Sequence, residues 1–518
     1  MRLSWNTDLQ DKMQTDNALK EMKRICEDHS RQKPDRMHED DLLNHMEMLV
    51  DLMQQYYEKQ DMRSLEWTMR EFERCLKVCE EKTLHDVGCW YLKMEFFRIN
   101  GQLYQNTGNM KKGKESLEQS AGYAWQCVNA GRNHELTGTQ ILYLGSRCLE
   151  VYQIYLLLAD IVQAPVDMTE ILSEMYITLE WMEQYVFQLP SIADRVGDLY
   201  GYVGVQMNLH GNVTEGRRCL QKAVAIHHEL YRKQNNITAY TKEIWISTQL
   251  YMLESAAGKD QSTMLLNLEE KAGQLLRENS VLQYQRGMLN GVIGNVELQK
   301  SLYFQSQGDL HQAAQFAEES CRTLKEALDI LDKEQRNTVY DEQVCWMIKQ
   351  TACQVYGNYL AVMQLRGTQR YLSGNMQEAI AVYEETLRLI TDIQNYRISE
   401  TLAQLSRADI SEKLSDIYRR SGDMVRSEFY GKQAADTASL LFYQNHLDIA
   451  CGIIVGSCTL LAEYYMHIRE KEKALEYSEK GLQACDRLAD IDPESGKLEL
   501  RGIMLRIRRK CGKRFLVF

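Results

Sequence analysis

Pairs of glycine with Asn or Asp recur along this chain in step with small side chains, and this recurrence constrains the fold more than any other feature. The pairs, called anchors here, begin at Gly108, Gly211, Gly308, Gly374 and Gly422, and Arg469-Glu470 takes the same place in a sixth repeat. Small residues stand seven before, five after and twelve after every anchor. These columns are Gly101, Gly204, Ser301, Gly367, Ser415 and Ala462; Gly113, Gly216, Ala313, Ala379, Ser427 and Ala474; and Ser120, Ala223, Ser320, Thr386, Ala434 and Gly481.

The anchors and columns together predict helical hairpins. Glycine ends a helix readily because it adopts the left-handed conformation, and a following Asn or Asp caps the next helix. Two helices approach closely only where their side chains are small, so the first column is expected to face the second. A large residue four before the anchor, such as Tyr104 or Tyr418, fills the adjoining space. The third column is expected to let the next hairpin stack.

The remaining sequence favours helix throughout. Apolar residues return every three or four positions, as they do from Leu42 to Tyr57, and no alternating strand pattern is present. Only 4 prolines interrupt 518 residues, so long stretches can keep an unbroken helical hydrogen-bond ladder. The chain is therefore predicted to be all-α.

The order small, large, Gly-Asn or Gly-Asp, small, small is similar to the pattern of the tetratricopeptide repeat (TPR) superfamily, over about residues 90–490. The resemblance implies a right-handed superhelical solenoid of antiparallel helical hairpins. The usual repeat of that family is about 34 residues long. Here the spacing is 47 residues from Gly422 to Arg469 and 66 from Gly308 to Gly374. Longer helices are expected, and one before Gly374 should be markedly extended.

Additional turns are needed to complete the series. The interval from Gly108 to Gly211 requires a further hairpin, with its turn at Ala164-Pro165. Gln60-Asp61 and Gly258-Lys259 are interpreted as turns of degenerate repeats. We predict about nine hairpins in residues 41–490, an N-terminal cap segment in residues 1–40, and a C-terminal capping helix with a basic tail in residues 491–518. The pairs Gly197-Asp198, Gly294-Asn295 and Gly357-Asn358 mark no predicted turn.

The sequence contains no motif that predicts an enzyme. A phosphate-binding glycine loop, a His-Glu-x-x-His pair and a Gly-x-Ser-x-Gly elbow are all missing. The set Cys75, Cys79, His85 and Cys89 matches no zinc spacing and is interpreted as coincidence. We therefore predict no catalytic residues, no cofactor and no metal.

Most other cysteines lie in apolar helical runs and are interpreted as buried, reduced thiols of a cytoplasmic protein: Cys148, Cys219, Cys321, Cys353 and Cys458.

Charge and hydropathy restrict the partners. A net charge of −12 argues against general binding to nucleic-acid phosphates. The basic run from Arg501 to Arg514 is interpreted as a solvated helix end, and the alternative is contact with a phosphate, a membrane surface or an acidic partner. The longest apolar stretch, Ile154 to Val162, is interrupted by Asp160 and is too short to span a bilayer. The apolar run Phe515 to Phe518 suggests self-association through the solenoid ends.

The resemblance also implies a binding face, because the first helix of each TPR hairpin lines the concave side. Carried over by offset from the anchors, the partner-binding candidates are Glu95, Arg98, Gln102, Gln105, Asp198, Asn208, Asn295, Gln305, Asp409, Glu412, Asp416 and Arg419. Tyr371 lies in the same rows. Acids and amides there suit a basic or backbone-extended segment better than a terminal carboxylate. The alternative is a solvated face that binds nothing specific.

The leading hypothesis is a non-enzymatic scaffold or adaptor that binds a protein or peptide segment in a polar groove. The alternative is a peptide-sensing regulator, because the chain also resembles bacterial TPR peptide receptors. Those receptors usually carry a DNA-binding module, for which residues 1–40 are too short. An enzyme is the third hypothesis, and it has no set of nucleophile, base and orienting group to support it.

Overall fold

Helix accounts for nearly all of the described backbone in the computed structural model. The structure describes residues 16–31, 34–84, 86–161, 166–256, 262–337, 339–340, 342–391, 400–444, 450–491 and 497–512, and these contain no strand. Four predicted features lie outside the described residues: the turns at Ala164-Pro165 and Gly258-Lys259, the side chain of His85, and the apolar run at Phe515.

Twenty α-helices are present in the described part of the chain. Helices α1 to α9 are Asp16–Arg31, Glu39–Glu58, Met62–Glu81, Val87–Asn106, Met110–Arg132, Gly138–Ile161, Met168–Glu183, Pro190–Leu209 and Val213–Gln234. Helices α10 to α20 are Ile237–Ala256, Ser262–Leu276, Gln283–Ser306, Leu310–Gln335, Glu342–Leu372, Met376–Thr391, Glu400–Ser421, Met424–Gln444, Ala450–His467, Lys471–Ile491 and Lys497–Gly512. Short 3-10 turns occupy Pro34–Arg36 and Val186–Gln188.

In the described part of the chain, helices α2 to α19 pair in sequence as nine hairpins, and α20 follows the last of them. The prediction of an all-α fold built from repeated antiparallel hairpins is confirmed for the described residues. The extended helix expected before Gly374 is α14, which has 31 residues. The chain divides into two compact units, residues 1–226 and 227–518. Each has a core of its own, built around Leu49 and Phe72 in the first unit and around Leu461 and Tyr465 in the second.

The predicted turns have the geometry that their residues require. All five anchor glycines adopt φ between 80° and 85°, the left-handed region that glycine enters without strain. At the first anchor the Asn109 N–H donates to the Tyr104 carbonyl at 2.8 Å, which closes the α4 C-terminus. Arg469 (φ 67°) and Gln60 (φ 57°) hold the same conformation without being glycine. The turns at Arg469-Glu470 and Gln60-Asp61 are therefore confirmed.

The capping role of the second anchor residue is also confirmed. The Asp309 carboxylate accepts a hydrogen bond from the Gln312 backbone N–H at 3.0 Å, and Asp423 accepts from Arg426 at 3.1 Å. Each carboxylate satisfies one N–H group that the first helical turn leaves unpaired. By contrast, Gly197, Gly294 and Gly357 lie inside helices, as expected.

The first and second small columns face each other in four hairpins, whereas a Cβ atom on Gly367 would instead meet the Tyr383 ring. A Cβ atom on Gly204 would lie 2.9 Å from the Gly216 carbonyl oxygen. Where serine replaces glycine, its hydroxyl uses the short distance: Ser301 Oγ donates to the Ala313 carbonyl at 2.6 Å. Ser415 and Ser427 exchange two such hydrogen bonds, at 2.8 and 2.9 Å. Close backbone approach thus defines the turn end of these four hairpins.

The prediction for the third small column is wrong in two of the hairpins. Ser120 Oγ donates to the Met94 carbonyl at 2.8 Å, and Ser320 Oγ donates to the Gly294 carbonyl at 2.7 Å. Both bonds join a second helix to the first helix of its own hairpin, not to the next one. Helices of 20 to 26 residues stay in contact over extra turns, so a second close approach is needed. Gly481 instead faces Met504 of α20.

Within the described residues, one helix is long and apolar enough to cross a membrane. This is α6, whose segment Gly138–Ala159 has a mean hydropathy of 1.2. In the first unit, 61% of that segment is buried, and α6 packs against α5 and α7. Its apolar composition is thus matched by its place in the core.

We expect the substitution Gly204→Ala to lower the free energy of unfolding by about 1–3 kcal/mol, because the added methyl group meets a backbone oxygen that cannot move aside. Gly122→Ala is the matched control, since nothing lies within 4 Å of its Cβ position. That change should raise stability by about 0.5–1 kcal/mol through helix propensity. Urea denaturation followed by circular dichroism measures both. Equal effects at the two positions would contradict the role assigned to the small columns.

Candidate functional site

Polar side chains of successive first helices form a connected network in the first unit, called the first ladder here. Its members are Gln54 of α2; Glu95, Arg98 and Gln102 of α4; and Arg147 and Glu150 of α6. Glu95 is its centre. Arg98 donates to Glu95 Oε2 at 2.8 and 2.9 Å, and Arg147 donates to both carboxylate oxygens at 2.6 and 3.0 Å.

Further hydrogen bonds extend the first ladder in both directions. Arg98 donates to Gln54 Oε1 and to Gln102 Oε1, each at 2.8 Å. Arg147 donates to Glu150 at 2.8 Å. Because these bonds connect residues up to 52 positions apart, they link three first helices side by side. The first ladder thus helps to hold three helices of the first unit together.

The centre of the first ladder is shielded from solvent. The side chains of Glu95 and Arg98 are 2% and 4% exposed. Burial alone would raise the pKa of Glu95, but the Arg98 and Arg147 guanidiniums hold it below its ordinary value. Breaking such a buried pair from one side typically costs about 3–5 kcal/mol. Glu95 and Arg98 are therefore occupied by intramolecular partners, and their predicted contact with a binding partner stays a prediction.

A corresponding network crosses α14, α16 and α18 in the second unit, and we call it the second ladder. Its bonded members are Tyr371, Asp416, Arg419, Arg420 and Glu463. We count with the ladder, by position on α16, the separate ion pair of Asp409 and Lys413 and the nearby Glu412. Asp416 is the centre: it accepts from Arg419 at 2.8 Å, from Arg420 at 2.8 Å and from the Tyr371 hydroxyl at 3.1 Å. Arg419 also lies 3.9 Å from Glu463 of α18.

The second ladder differs from the first in its exposure. The side chains of Arg419 and Glu463 are 33% and 42% exposed, and that of Asp416 is 23% exposed. The Arg420 guanidinium lies 5.4 Å from the centre of the Tyr371 ring, so a cation and an aromatic face stand side by side. The second ladder is thus ordered by its own contacts and still reachable from solvent.

Glu412 occupies a confined position within the second ladder. Its carboxylate lies against Gly456 of α18, where any added side chain would collide with it. Burial raises the pKa of Glu412 to about 7, and the Asp409 and Asp416 carboxylates act in the same direction against Lys413. Glu412 therefore changes charge near neutral pH.

The remaining candidates join neither ladder by a described contact. Gln105, Asp198, Asn208 and Gln305 are half-buried. Asn295 is 1% exposed; its amide donates to Met252 Sδ at 3.0 Å, while its Oδ1 has no hydrogen-bond partner. The structure thus brings the predicted residues together in two groups, around Glu95 and around Asp416.

The ladders also change the expected electrostatics. Glu95, Asp409 and Asp416 all pair with arginine or lysine from the same chain. Little unpaired negative charge is left to select a basic partner. The sequence pattern overstated the acidity because the balancing cations Arg147, Lys413 and Arg420 lie outside the rows counted from the anchors.

A second surface was not found by sequence reasoning. An open pocket of about 740 Å³ lies on the first unit, between α4 and α5. Its aromatic side is Trp90 and Tyr123, whose ring centres are 5.7 Å apart, and the buried Lys93 ammonium lies 4.9 Å from the Trp90 ring centre. Its rim carries four amides at near-helical spacing, namely Gln119, Gln126, Asn129 and Asn133. This stripe of amides along α5 is the sequence pattern from which the pocket could have been predicted. Such a pocket suits neutral polar groups.

Comparison with known proteins gives structural similarity only. No protein-family model matches the chain, and no curated protein matches its sequence. Among solved structures, a Rap protein complexed with Competence and Sporulation Factor is 14% identical, with 86% of this chain and 99% of that chain covered and a TM-score of 0.34. The Cut9-Hcn1 hetero-tetramer of the APC/C is also 14% identical, with 89% and 90% covered and a TM-score of 0.26.

A circular tandem repeat protein is 15% identical, with 92% of this chain and 96% of that chain covered and a TM-score of 0.21. All three have low sequence identity to this chain. The assignment of helical hairpins rests on the turn and column geometry described above.

The raised pKa of Glu412 predicts a pH-dependent effect of Glu412→Gln. Between the ordinary value of 4.5 and about 7, the folded chain retains a proton that the unfolded chain has released. The unfolded state is thereby favoured, so wild-type stability falls as pH rises through this window. The glutamine variant lacks this term, so its stability relative to wild type should increase from pH 5 to pH 8.

Chemical denaturation at the two pH values measures this difference. Glu476→Gln, on the exposed surface of α19, is the control for removing one negative charge from the second unit. If Glu412→Gln and the control show the same pH dependence, Glu412 is not confined as described.

Proposed function

We propose that this chain is a non-enzymatic scaffold that binds an extended protein or peptide segment along the second ladder. The observation that carries the proposal is the network centred on Asp416, which continues across three successive first helices and stays partly exposed. An interaction surface that spans several hairpins matches the length of an extended segment.

The chemistry of the second ladder supports a peptide backbone as the ligand. An extended segment presents N–H donors and carbonyl acceptors at regular intervals. The ladder offers carboxylates that accept, guanidiniums that donate and the face of Tyr371. Because the side chains already hold one another, binding loses less side-chain entropy than it would with free side chains.

Charge balance refines the class of partner. Asp409 pairs with Lys413 and Asp416 pairs with two arginines, so the surface is of mixed sign. A polar segment with both charges, or with few, fits it better than a strongly basic one. We retain a cytoplasmic location in the proposal, since none of the 13 described cysteines forms a disulfide and ten of them are buried. Cys321 and Cys353 are only half-buried.

The test uses two double variants that leave the net charge unchanged. Asp416→Ala with Arg419→Ala removes the centre of the second ladder. Glu229→Ala with Arg232→Ala removes an ion pair of the same spacing from α9 in the same unit, where the arginine is 65% exposed. A peptide is first selected from a random display library on the full chain, and its dissociation constant is then measured by fluorescence anisotropy.

We expect the ladder variant to bind the selected peptide at least about tenfold more weakly, which corresponds to roughly 1.4 kcal/mol. The α9 variant should bind as wild type does. Circular dichroism confirms that both variants are folded. Binding that is unaffected in the ladder variant, or weakened equally in both, would reject the second ladder as the binding surface.

A second candidate function is the sensing of a short peptide, favoured by the pocket at Trp90 and Tyr123. A pocket of that size accommodates a few residues, not a long segment. The variant Trp90→Ala tests this reading in the same assay. Loss of binding in Trp90→Ala, with full binding by the ladder variant, would favour the sensor over the scaffold.

A further inference from the structure

Three side chains with metal-ligand chemistry meet in the core of the first unit. They are His45 of α2 and Glu71 and Cys75 of α3, and their ligand atoms all lie within 4.8 Å of one another. His45 and Cys75 are fully buried, and Glu71 is 5% exposed. Glu71 and Cys75 stand four residues apart on one helix, so both project from the same face toward α2.

The polar atoms of this cluster are not satisfied by the protein. Neither ring nitrogen of His45 has a hydrogen-bond partner, and Glu71 Oε1 also has none. Leaving such groups unpaired in a core costs free energy, and native proteins rarely accept it. Three unpaired atoms thus stand together beside the buried thiol of Cys75. The cluster therefore lacks a component.

We propose that His45, Glu71 and Cys75 bind a Zn²⁺ ion. Imidazole nitrogen, carboxylate oxygen and thiolate sulfur are the three ligand types that zinc accepts in proteins. With bonds of about 2.0–2.3 Å, tetrahedral ligands stand roughly 3.3–3.7 Å apart, so the side chains need only a small contraction. Two anionic ligands neutralise the ion, which removes the cost of a net charge in the core.

The surroundings of Glu71 favour binding of the ion through a single carboxylate oxygen. Arg74 donates to Glu71 Oε2 at 2.7 Å from the outer side. This hydrogen bond fixes the carboxylate and leaves the unpaired Oε1 for the ion. Such an outer partner is the usual support of a metal-binding carboxylate.

The fourth ligand comes from α1. His29 has a buried Nδ1 atom without a partner, and its ring centre lies 5.4 Å from that of His45. Cys26, one turn earlier on α1, is fully buried in the same core. With His29 as fourth ligand the ion would join α1, α2 and α3 in one coordination sphere, so zinc would stabilise the N-terminal end of the first unit.

The proposal is tested on the full chain after metal removal with a chelator. Zinc binding is measured by competition with a chromophoric chelator, and Co²⁺ is added separately as a spectroscopic probe. We expect one equivalent of zinc, a higher melting temperature with zinc than without, and visible bands of tetrahedral Co²⁺ with a sulfur-to-cobalt charge-transfer band.

Two variants and one control locate the site. Cys75→Ala should bind zinc at least tenfold more weakly and lose the sulfur-to-cobalt band. Cys127→Ala, which removes a fully buried thiol outside the cluster, should keep both. His45→Leu should weaken zinc binding equally but leave the metal-free protein as stable as wild type or more so, because it removes two unpaired buried nitrogens.

Three results would overturn the proposal. The first is a wild-type chain that binds less than about a tenth of an equivalent of zinc. The second is a Cys75→Ala variant that retains wild-type zinc affinity, since the ion would then lie elsewhere. The third is a His45→Leu variant whose melting temperature still rises with zinc as much as that of the wild type.

Discussion

The structure depends on one steric condition, which is the close backbone approach of paired helices beside the turns that have small residues. Gly204 against Gly216 and Ser301 against Ala313 show it in two forms, with no side chain at all or with a hydroxyl that bonds across the gap. Where the two backbones approach closely, the large residues one turn away can pack together and fill the core beside the contact. Every later feature, including the alignment of the first helices, follows from hairpins of this kind repeated along the chain.

Once the first helices stand side by side, their polar residues can join. The two ladders consist of similar types of side chain, but they differ in how far they are buried. Glu95 is buried and paired with Arg98 and Arg147, so it links α4 to α6. Asp416 accepts three hydrogen bonds, and its partners remain partly in solvent. Exposure, not residue type, separates a surface that can bind from one that holds the fold together.

The sequence allowed prediction of whatever is determined locally. The anchors were found because left-handed glycine and Asx capping act within five residues, and the first two columns because their offset from the turn is fixed. The number of hairpins followed from the spacing. Even Gln60 and Arg469, which are not glycine, occupy the expected conformation.

The parts that were missed depend on contacts between distant residues. Arg147 neutralises Glu95 from 52 positions away, so the acidity of the rows was overstated. Ser120 was assigned to the next hairpin because helix length does not reveal which neighbour a small residue meets. The cluster of His45, Glu71 and Cys75 has no local spacing that marks it. Cys75 was instead grouped with nearby Cys79 and Cys89, and no property of the sequence corrects that grouping.

The serine bonds across the hairpins have a consequence for how such a chain can change in length. Ser415 and Ser427 are each donor and acceptor for the other, so the two helices cannot slide past one another without breaking both bonds. Insertions near the turn would shift this pairing, whereas insertions at the opposite end of a helix would leave it intact. Repeat periods from 47 to 66 residues with constant offsets around each anchor are what such an arrangement permits. Residues can therefore be added at the end of a hairpin opposite its turn, where they form new surface without changing the register of the two helices.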